Sequence, residues 1–143
     1  MKISFRVDSS NQMGHGHLMR CLTLADELQK KNHDIEFICR DLKGNLISTI
    51  KYPVLILPEE ISFISTDLYL NLLGTTQEQD AKQTIEVISK NIDIFIVDSY
   101  ALNETWHKKL RQYTKKIVVI DDLADKKFDC DLLLNQNMGS QLD

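Results

Sequence analysis

Apolar runs rich in β-branched residues recur along the chain and predict buried β-strands. Five of them are Ile3–Val7, Ile35–Cys39, Pro53–Leu57, Ile92–Asp98 and Lys116–Asp121. They are largely continuous rather than alternating, as expected of strands that are covered on both faces. A shorter run, Leu132–Leu134, lies between acidic and amide residues and predicts a last edge strand.

Helical patterns fill the intervals between these runs. Apolar residues recur at helical spacing from about His17 to about Asn32, which predicts the first helix. A second helix is predicted within Thr75–Lys90, where Thr76 and the glutamine three residues on have the spacing of a capping box. Asn103 is a candidate N-cap for a third helix.

Strands that alternate with helices predict right-handed βαβ crossovers and a parallel sheet. We therefore predict an α/β fold with a doubly wound, mostly parallel, Rossmann-like sheet, built as a single domain by residues 1–143. The segment Glu59–Gly74 has enough apolar residues for a strand or a helix but no clean period for either. That segment stays unassigned.

Composition narrows the classes of partner. The 143 residues are 43% hydrophobic and 27% charged, which is enough for one domain with a core. A formal net charge of -4, without any Lys/Arg block longer than a pair, argues against nucleic acid or a membrane surface and favours a small molecule. No run reaches membrane-span length, and Arg6 interrupts the short N-terminal apolar stretch. With three cysteines and no CxxC pair, these features predict a cytoplasmic protein.

Polar residues follow each central strand. In an open parallel sheet the ligand crevice lies beyond the carboxyl ends of the strands, so these residues can meet in one site. Taken singly, each of them could equally cap a helix or order a loop. In chain order they are Asp8, Ser9 and Ser10, then Arg40 and Asp41, then Asp98, Ser99 and Tyr100, and last Asp121 and Asp122.

The turn GHGH after the first strand has several interpretations. Gly14 and Gly16 would let backbone N–H groups and a helix N-terminus approach a phosphate. The turn lacks the third glycine of the dinucleotide fingerprint, and the chain has no GKS or GKT, which argues against NAD and against a P-loop. His15 and His17 are two residues apart, as in some zinc sites, but no third ligand is near, so no metal is expected.

His17 is a candidate acid or base. At the first helical turn its ring can face the crevice, and Arg20, three residues on, shares that face. Imidazole can accept a proton from water near neutral pH. Spacing alone leaves open, and slightly favours, the alternative that this histidine only begins a helix.

A receiver-like signalling module is a further alternative. Asp121 and Asp122 after a buried strand could hold Mg²⁺, and Asp98 could be a phosphoacceptor. Such a module also needs a lysine after its last strand, and DLLLN supplies none.

Three motifs together carry a resemblance to a known family. The segments Phe5–Leu28, Val97–Trp106 and Val119–Asn137 closely resemble the N-terminal half of the PseG family, to which SpsG looks related. The resemblance implies the first half of a two-domain GT-B architecture, with the C-terminal nucleotide-binding domain absent from this chain. It also implies hydrolysis of UDP-2,4-diacetamido-2,4,6-trideoxy-β-L-altropyranose in pseudaminic acid biosynthesis, with water attacking the anomeric carbon, UDP leaving and the configuration inverting.

The resemblance also assigns roles to residues. The histidine of the family pattern GxGHxxR is the proposed catalytic base and matches His17, not His15. The tyrosine of the family segment DHY is the second implied catalytic residue and matches Tyr100. Ser99 replaces the histidine of that segment. The predicted substrate-binding residues are Gly14, Gly16, Arg20, Asp8 and Asp98.

The expected partners are therefore a UDP-sugar and the missing C-terminal domain, with neither a cofactor nor a metal. This chain alone is expected to have negligible activity. A GT-B glycosyltransferase domain that uses a UDP-sugar, and a non-enzymatic receiver-like or binding module, remain as alternatives.

Overall fold

The computed structural model describes residues 1–123 and 125–135, so the predicted polar end of the chain and the last two residues of the third motif lie outside it. The strands are β1 (Lys2–Val7), β2 (Asp34–Arg40), β3 (Val54–Leu57), β4 (Ile92–Asp98), β5 (Thr114–Ile120) and β6 (Leu132–Leu134). The α-helices are α1 (Gly16–Lys30), α2 (Leu68–Leu73), α3 (Gln77–Val87) and α4 (Glu104–Leu110). Single 3₁₀ turns occur at Ile47–Thr49 and Arg111–Tyr113.

The six strands form one sheet in the order β3-β2-β1-β4-β5-β6, and all five neighbouring pairs are parallel. The predicted α/β fold with a doubly wound, Rossmann-like sheet is confirmed. The strand order reverses between β1 and β4, where a crevice opens beyond the carboxyl ends of the two strands. Residues that follow β1 and β4 are therefore best placed to form a site.

Helices cover the sheet on both faces. On one face α1 buries its predicted apolar side against β1 and β2, where Phe5 and Phe37 stack with ring centroids 4.7 Å apart. On the other face α3 and α4 pack around Trp106, whose ring meets Phe95 edge-on at 5.6 Å. No helix in the described ranges is long and apolar enough to cross a membrane.

The face of the sheet beneath α3 buries charges that the apolar runs did not predict. Arg6 of β1 donates to Asp80 of α3 through Nε at 3.1 Å and through Nη2 at 2.6 Å. Arg40 of β2 donates to the same carboxylate at 2.8 Å, and the indole N–H of Trp106 does so at 2.8 Å. Burial alone would raise the pKa of Asp80, but the two guanidinium groups hold it below its usual value.

Local signals set most helix boundaries. The Thr76 hydroxyl accepts from the Gln79 N–H at 3.1 Å, and Asn103 caps α4 through the Thr105 N–H at 2.9 Å, so both predicted caps are confirmed. The first helix begins one residue earlier than predicted, at Gly16. The unassigned segment contains α2, which has only six residues and is too short to show a helical period.

Candidate functional site

The loop after β1 turns sharply before α1. Gly14 has a φ of +79°, a left-handed conformation that favours glycine, and it exchanges backbone hydrogen bonds with Ser10. A Cβ built on Gly14 or Gly16 meets nothing within 4 Å, so the space around the turn is open. No side chain caps α1 and no acidic residue lies in its first turn. This helix N-terminus is therefore suited to an anion.

Three side chains meet at the switch point between β1 and β4. His17, in the first turn of α1, places Nδ1 2.6 Å from Oδ1 of Asp98, the last residue of β4. Arg20, one turn further along α1, donates to the same carboxylate through Nε and Nη2, each at 2.6 Å. His17 and Arg20 come from α1 and Asp98 comes from β4, so the packing of α1 on the sheet fixes their geometry.

The carboxylate of Asp98 and its two partners stabilise each other's charged forms. Burial would raise the pKa of Asp98, but the hydrogen bonds from Arg20 and His17 hold it below its usual value. The hydrogen bonds to Asp98 in turn raise the pKa of Arg20 above its usual value. Asp98 is therefore an ionised carboxylate, which can only accept hydrogen bonds.

The tautomer of His17 follows from these contacts. An ionised Asp98 cannot donate, so Nδ1 of His17 carries the proton and donates it to Oδ1. The 3.2 Å approach of Arg20 Nη2 to the same Nδ1 is then a contact between two donors that share one acceptor. The Nε2 atom retains its lone pair and can act as a base.

Tyr100 lies against the ring of His17. The two rings meet edge-on at 4.6 Å, and the Tyr100 hydroxyl donates to Asp122 at 2.9 Å. Burial and the hydrogen bond to Asp122 raise the pKa of Tyr100 to about 12, so its hydroxyl stays protonated at neutral pH. Asp122 also lies 3.6 Å from Arg20 and so ties Tyr100 to the same group of charges.

A small cavity lies beside these residues, with ≈ 20 Å³ open to the centre of a water molecule. Asp8 is one of the residues that line it, and Oδ2 of Asp8 is buried and has no hydrogen-bond partner among the described residues. The other oxygen of Asp8 accepts from Arg6 and from the Arg40 N–H, each at 2.7 Å. The lining residues are Asp8, Met13, His17, Tyr69, Leu72, Leu73, Asp98, Ser99, Tyr100 and Ala101.

The described residues include no clustered set of metal ligands, and two of the three cysteines are buried. Within 1–123 and 125–135, no three His, Cys, Asp or Glu side chains form a group that could hold a metal ion. Cys21 lies beside Asp98, with Sγ 3.5 Å from Oδ2, and Cys39 is buried in β2. Burial raises the pKa of both thiols, so they remain protonated and pack as small apolar groups.

Comparison with known proteins gives two matches over nearly the whole chain. The chain is 35% identical over 138 residues to UDP-2,4-diacetamido-2,4,6-trideoxy-β-L-altropyranose hydrolase (PseG) of Campylobacter jejuni, covering 96% of this chain and 42% of that enzyme. The predicted resemblance to PseG is confirmed. An uncharacterised protein of Methanocaldococcus jannaschii is 29% identical over 145 positions, covering 99% of this chain and 26% of that protein. The chain thus spans less than half the length of these relatives, and no family model matches it.

The residues that carry the PseG resemblance are close together in the structure. His17 and Tyr100 are in contact and line the cavity. Asp98 lines the cavity too, and it holds both His17 and Arg20. Asp8 reaches the cavity from the end of β1. The catalytic and substrate-binding roles assigned to these residues, and to Gly14 and Gly16, stay predictions.

His15 differs from His17 in its surroundings. Its Nδ1 is buried without a partner in the described part of the chain, and its side chain is not among those that line the cavity. Its backbone carbonyl accepts from the Met19 N–H at 3.0 Å, as expected of the residue before a helix. These contacts give His15 a structural place at the start of α1.

Several neighbours of Tyr100 carry no signal in the sequence. Tyr69 and Leu72 belong to α2, which had no sequence period that could reveal it. Lys126 places Nζ 5.0 Å from the Tyr69 ring centroid and 5.8 Å from that of Tyr100. It comes from the loop before β6, where only the pair Lys126 and Lys127 marks a basic character. Asp122 follows β5 as expected, but its pairing with Tyr100 had no sequence signal.

Proposed function

We propose that this chain is the N-terminal half of a GT-B UDP-sugar hydrolase of pseudaminic acid biosynthesis. The observation that carries the proposal is the hydrogen bond from His17 Nδ1 to Asp98, which leaves Nε2 basic beside a cavity at the switch point. The match to the Campylobacter jejuni enzyme supports the substrate, a UDP-sugar with two acetamido groups. The missing half would bind most of the nucleotide.

In the proposed reaction, water attacks the anomeric carbon of the sugar. His17 Nε2 removes a proton from this water as the new C–O bond forms, and the bond to the diphosphate breaks with its electron pair going to UDP. Attack opposite the leaving group inverts the anomeric configuration. Asp98 stabilises the imidazolium that forms, because its carboxylate already accepts from Nδ1.

Two further parts of the site would act on the substrate. The open turn at Gly14 and Gly16, with the uncapped N-terminus of α1 behind it, would stabilise negative charge on the leaving diphosphate. Arg20 would add positive charge one helical turn away. Tyr100 would hold the His17 ring from its edge and orient the water or the sugar. UDP is a good leaving group, so the proposal requires neither a metal nor a cofactor.

The test is UDP release by the full-length protein supplied with UDP-2,4-diacetamido-2,4,6-trideoxy-β-L-altropyranose. His17→Asn should lower kcat by about 10²–10⁴-fold, the usual contribution of a general base. His15→Ala is the matched control two residues away and should keep the wild-type rate. Proton NMR during turnover should show the inverted anomer of the free sugar first.

The alternative outcomes are separable. Release that requires an added acceptor hydroxyl would favour a glycosyltransferase. A loss of turnover in His15→Ala and not in His17→Asn would overturn the assignment of the base. The receiver-like alternative predicts phosphorylation of Asp98 by acetyl phosphate, although both of its oxygens already accept hydrogen bonds.

A further inference from the structure

We infer that the cavity beside His17 is a subsite for an acetamido substituent of the sugar, recognised by Asp8, Ser99 and an apolar wall. The inference rests on the proposed function, because it takes the ligand to be a sugar nucleotide. It goes beyond that function by naming which chemical group enters the cavity and which side chains select it.

Asp8 supplies an acceptor that lacks a donor. The residue is 3% exposed, and its Oδ1 is held by Arg6 and by the Arg40 N–H. Its Oδ2 is buried and has no partner in the described ranges, and the residue is one of those that line the cavity. A buried carboxylate oxygen without a donor is costly, so a ligand that brings an N–H or O–H group is favoured there.

Ser99 supplies a donor in the same cavity. Its Oγ accepts from the Ala101 N–H at 3.3 Å, so its hydroxyl proton is the part that can be offered to a ligand. A carbonyl oxygen entering the cavity can therefore accept from Ser99 while its amide N–H donates to Asp8.

The remaining wall of the cavity is mostly apolar. Met13, Leu72, Leu73 and Ala101 line it, together with the ring of Tyr69. The space open to the centre of a water molecule is small, ≈ 20 Å³, so it suits a small substituent rather than a whole sugar ring. The methyl of an acetyl group gains free energy when it is buried against such a wall.

Other sugar substituents fit these features less well. A hydroxyl can donate to Asp8, but it brings neither a carbonyl for Ser99 nor a methyl for the apolar wall. The carboxylate of a uronic acid would be repelled by Asp8 and Asp98. An acetamido group brings a donor, an acceptor and a methyl together, which matches the three features of the cavity.

The first experiment measures kcat/KM of the full-length protein for the diacetamido UDP-sugar and for two analogues, each with one acetamido replaced by hydroxyl. At one of the two positions the wild type should prefer acetamido by about 10- to 100-fold, the worth of a hydrogen bond to a charged group. Ser99→Ala should reduce that preference by about 3- to 10-fold, the worth of a neutral hydrogen bond. Equal kcat/KM for all three sugars overturns the inference.

Two substitutions of aspartate test the acceptor. Asp8→Asn can place an NH₂ donor where Oδ2 stood, which opposes an amide N–H but not a hydroxyl, because a hydroxyl can also accept. The acetamido preference should fall by about 10-fold or more. Asp41→Asn, an exposed aspartate that follows β2, is the matched control and should keep the preference. Ser99→Ala keeps the test decisive if Asp8→Asn fails to fold, since Ser99 has no part in the ion pairs of Arg6.

The second experiment measures binding without turnover. In the full-length His17→Asn variant bound to the diacetamido UDP-sugar, one acetyl methyl should show NOEs to the methyls of Leu72 and Leu73. If these NOEs are seen but the wild type releases no UDP, the subsite is supported and hydrolysis is rejected. Turnover without the NOEs and without acetamido preference would reject the subsite and keep hydrolysis, and failure of both binding and turnover would reject both.

Discussion

At the scale of single residues, Asp98 fixes the tautomer of His17. One of its oxygens accepts from Nδ1 of His17, and Arg20 binds both oxygens and keeps the carboxylate ionised. The imidazole is thereby fixed with its proton on Nδ1 and its lone pair on Nε2. Asp98 is therefore a positioning residue in the proposed reaction, and the substrate contact predicted for it is not needed to explain its place.

Substituting Asp98→Asn in the full-length protein should separate catalysis from binding. The asparagine NH₂ can donate to Nδ1 and favours the tautomer with the proton on Nε2, so the base is lost while the site keeps its shape. We expect kcat for UDP release to fall by about 10²–10⁴-fold. The affinity for UDP, measured by calorimetry, should change little.

The control for this substitution is Asp93→Asn, at the opposite end of the same strand. Asp93 accepts from the Lys2 N–H and pairs with Lys115, far from the cavity. Its substitution should leave kcat unchanged. A near-normal kcat in Asp98→Asn would show that His17 does not depend on this carboxylate.

The sequence predicts the candidate residues of the site better than their contacts. His17 and Tyr100 follow from a motif, and Asp98 follows from its place after a buried strand. The pairing of His17 with Asp98 could not be predicted, because 81 residues separate them and polar residues follow every central strand. Only the strand order brings the ends of β1 and β4 together.

At the scale of elements, α3 is held on the sheet by a buried charge. Asp80 accepts from Arg6 and Arg40 on two neighbouring strands and from Trp106 on α4. Because Arg6 also holds Asp8, this network links the packing of α3 to the end of β1, where the cavity begins. A substitution that displaces α3 should therefore alter the geometry of the site and also lower the free energy of unfolding.

Removing the Asp80 carboxylate should destabilise the domain strongly. Asp80→Ala leaves two guanidinium groups buried without their acceptor, and we expect the free energy of unfolding in urea to fall by about 3–5 kcal/mol. Glu78→Ala, two residues earlier on the exposed side of α3, should change it by less than about 1 kcal/mol. Similar losses in the two variants would contradict a special role for the buried network.

The same network predicts how stability depends on pH. The pKa of Asp80 is held below its usual value in the folded state, so the unfolded chain binds the proton more readily. Its contribution is complete above the unfolded pKa of about 3.9 and is lost as the pH falls through the folded pKa. Urea unfolding from pH 6 to pH 2.5 should show the wild type and Asp80→Ala converging below about pH 4. A constant difference across that range would contradict the ion pairs.

Strands and helix starts could be predicted where neighbouring residues alone determine them. The strands show as apolar runs, and Thr76 and Asn103 mark helix starts through hydrogen bonds to nearby N–H groups. The buried charges of Arg6 and Asp80 lie 74 residues apart, so no local pattern reveals that they neutralise each other. The helix α2 is too short to show an apolar period, and it is held by the packing of Leu73 and Tyr69 against the core.

At the scale of the whole molecule, the site beside His17 would bind only one part of the proposed substrate. The small cavity beside His17 suits a substituent of the sugar, and the turn at the start of α1 is suited to the diphosphate. The match to PseG covers 42% of that enzyme, so the proposed second domain would supply what this half lacks.

This division of roles predicts that residues 1–143 alone do not turn over the substrate. Purified as a folded domain, with circular dichroism as the check on folding, they should release no more UDP from the diacetamido UDP-sugar than the full-length His17→Asn variant does. The physical reason is that most of the binding free energy for the nucleotide would come from the absent half, so the sugar would rarely be held against His17. The full-length wild type under the same conditions sets the positive control. Robust release by residues 1–143 would contradict both the two-domain architecture and the assignment of nucleotide binding to the second domain.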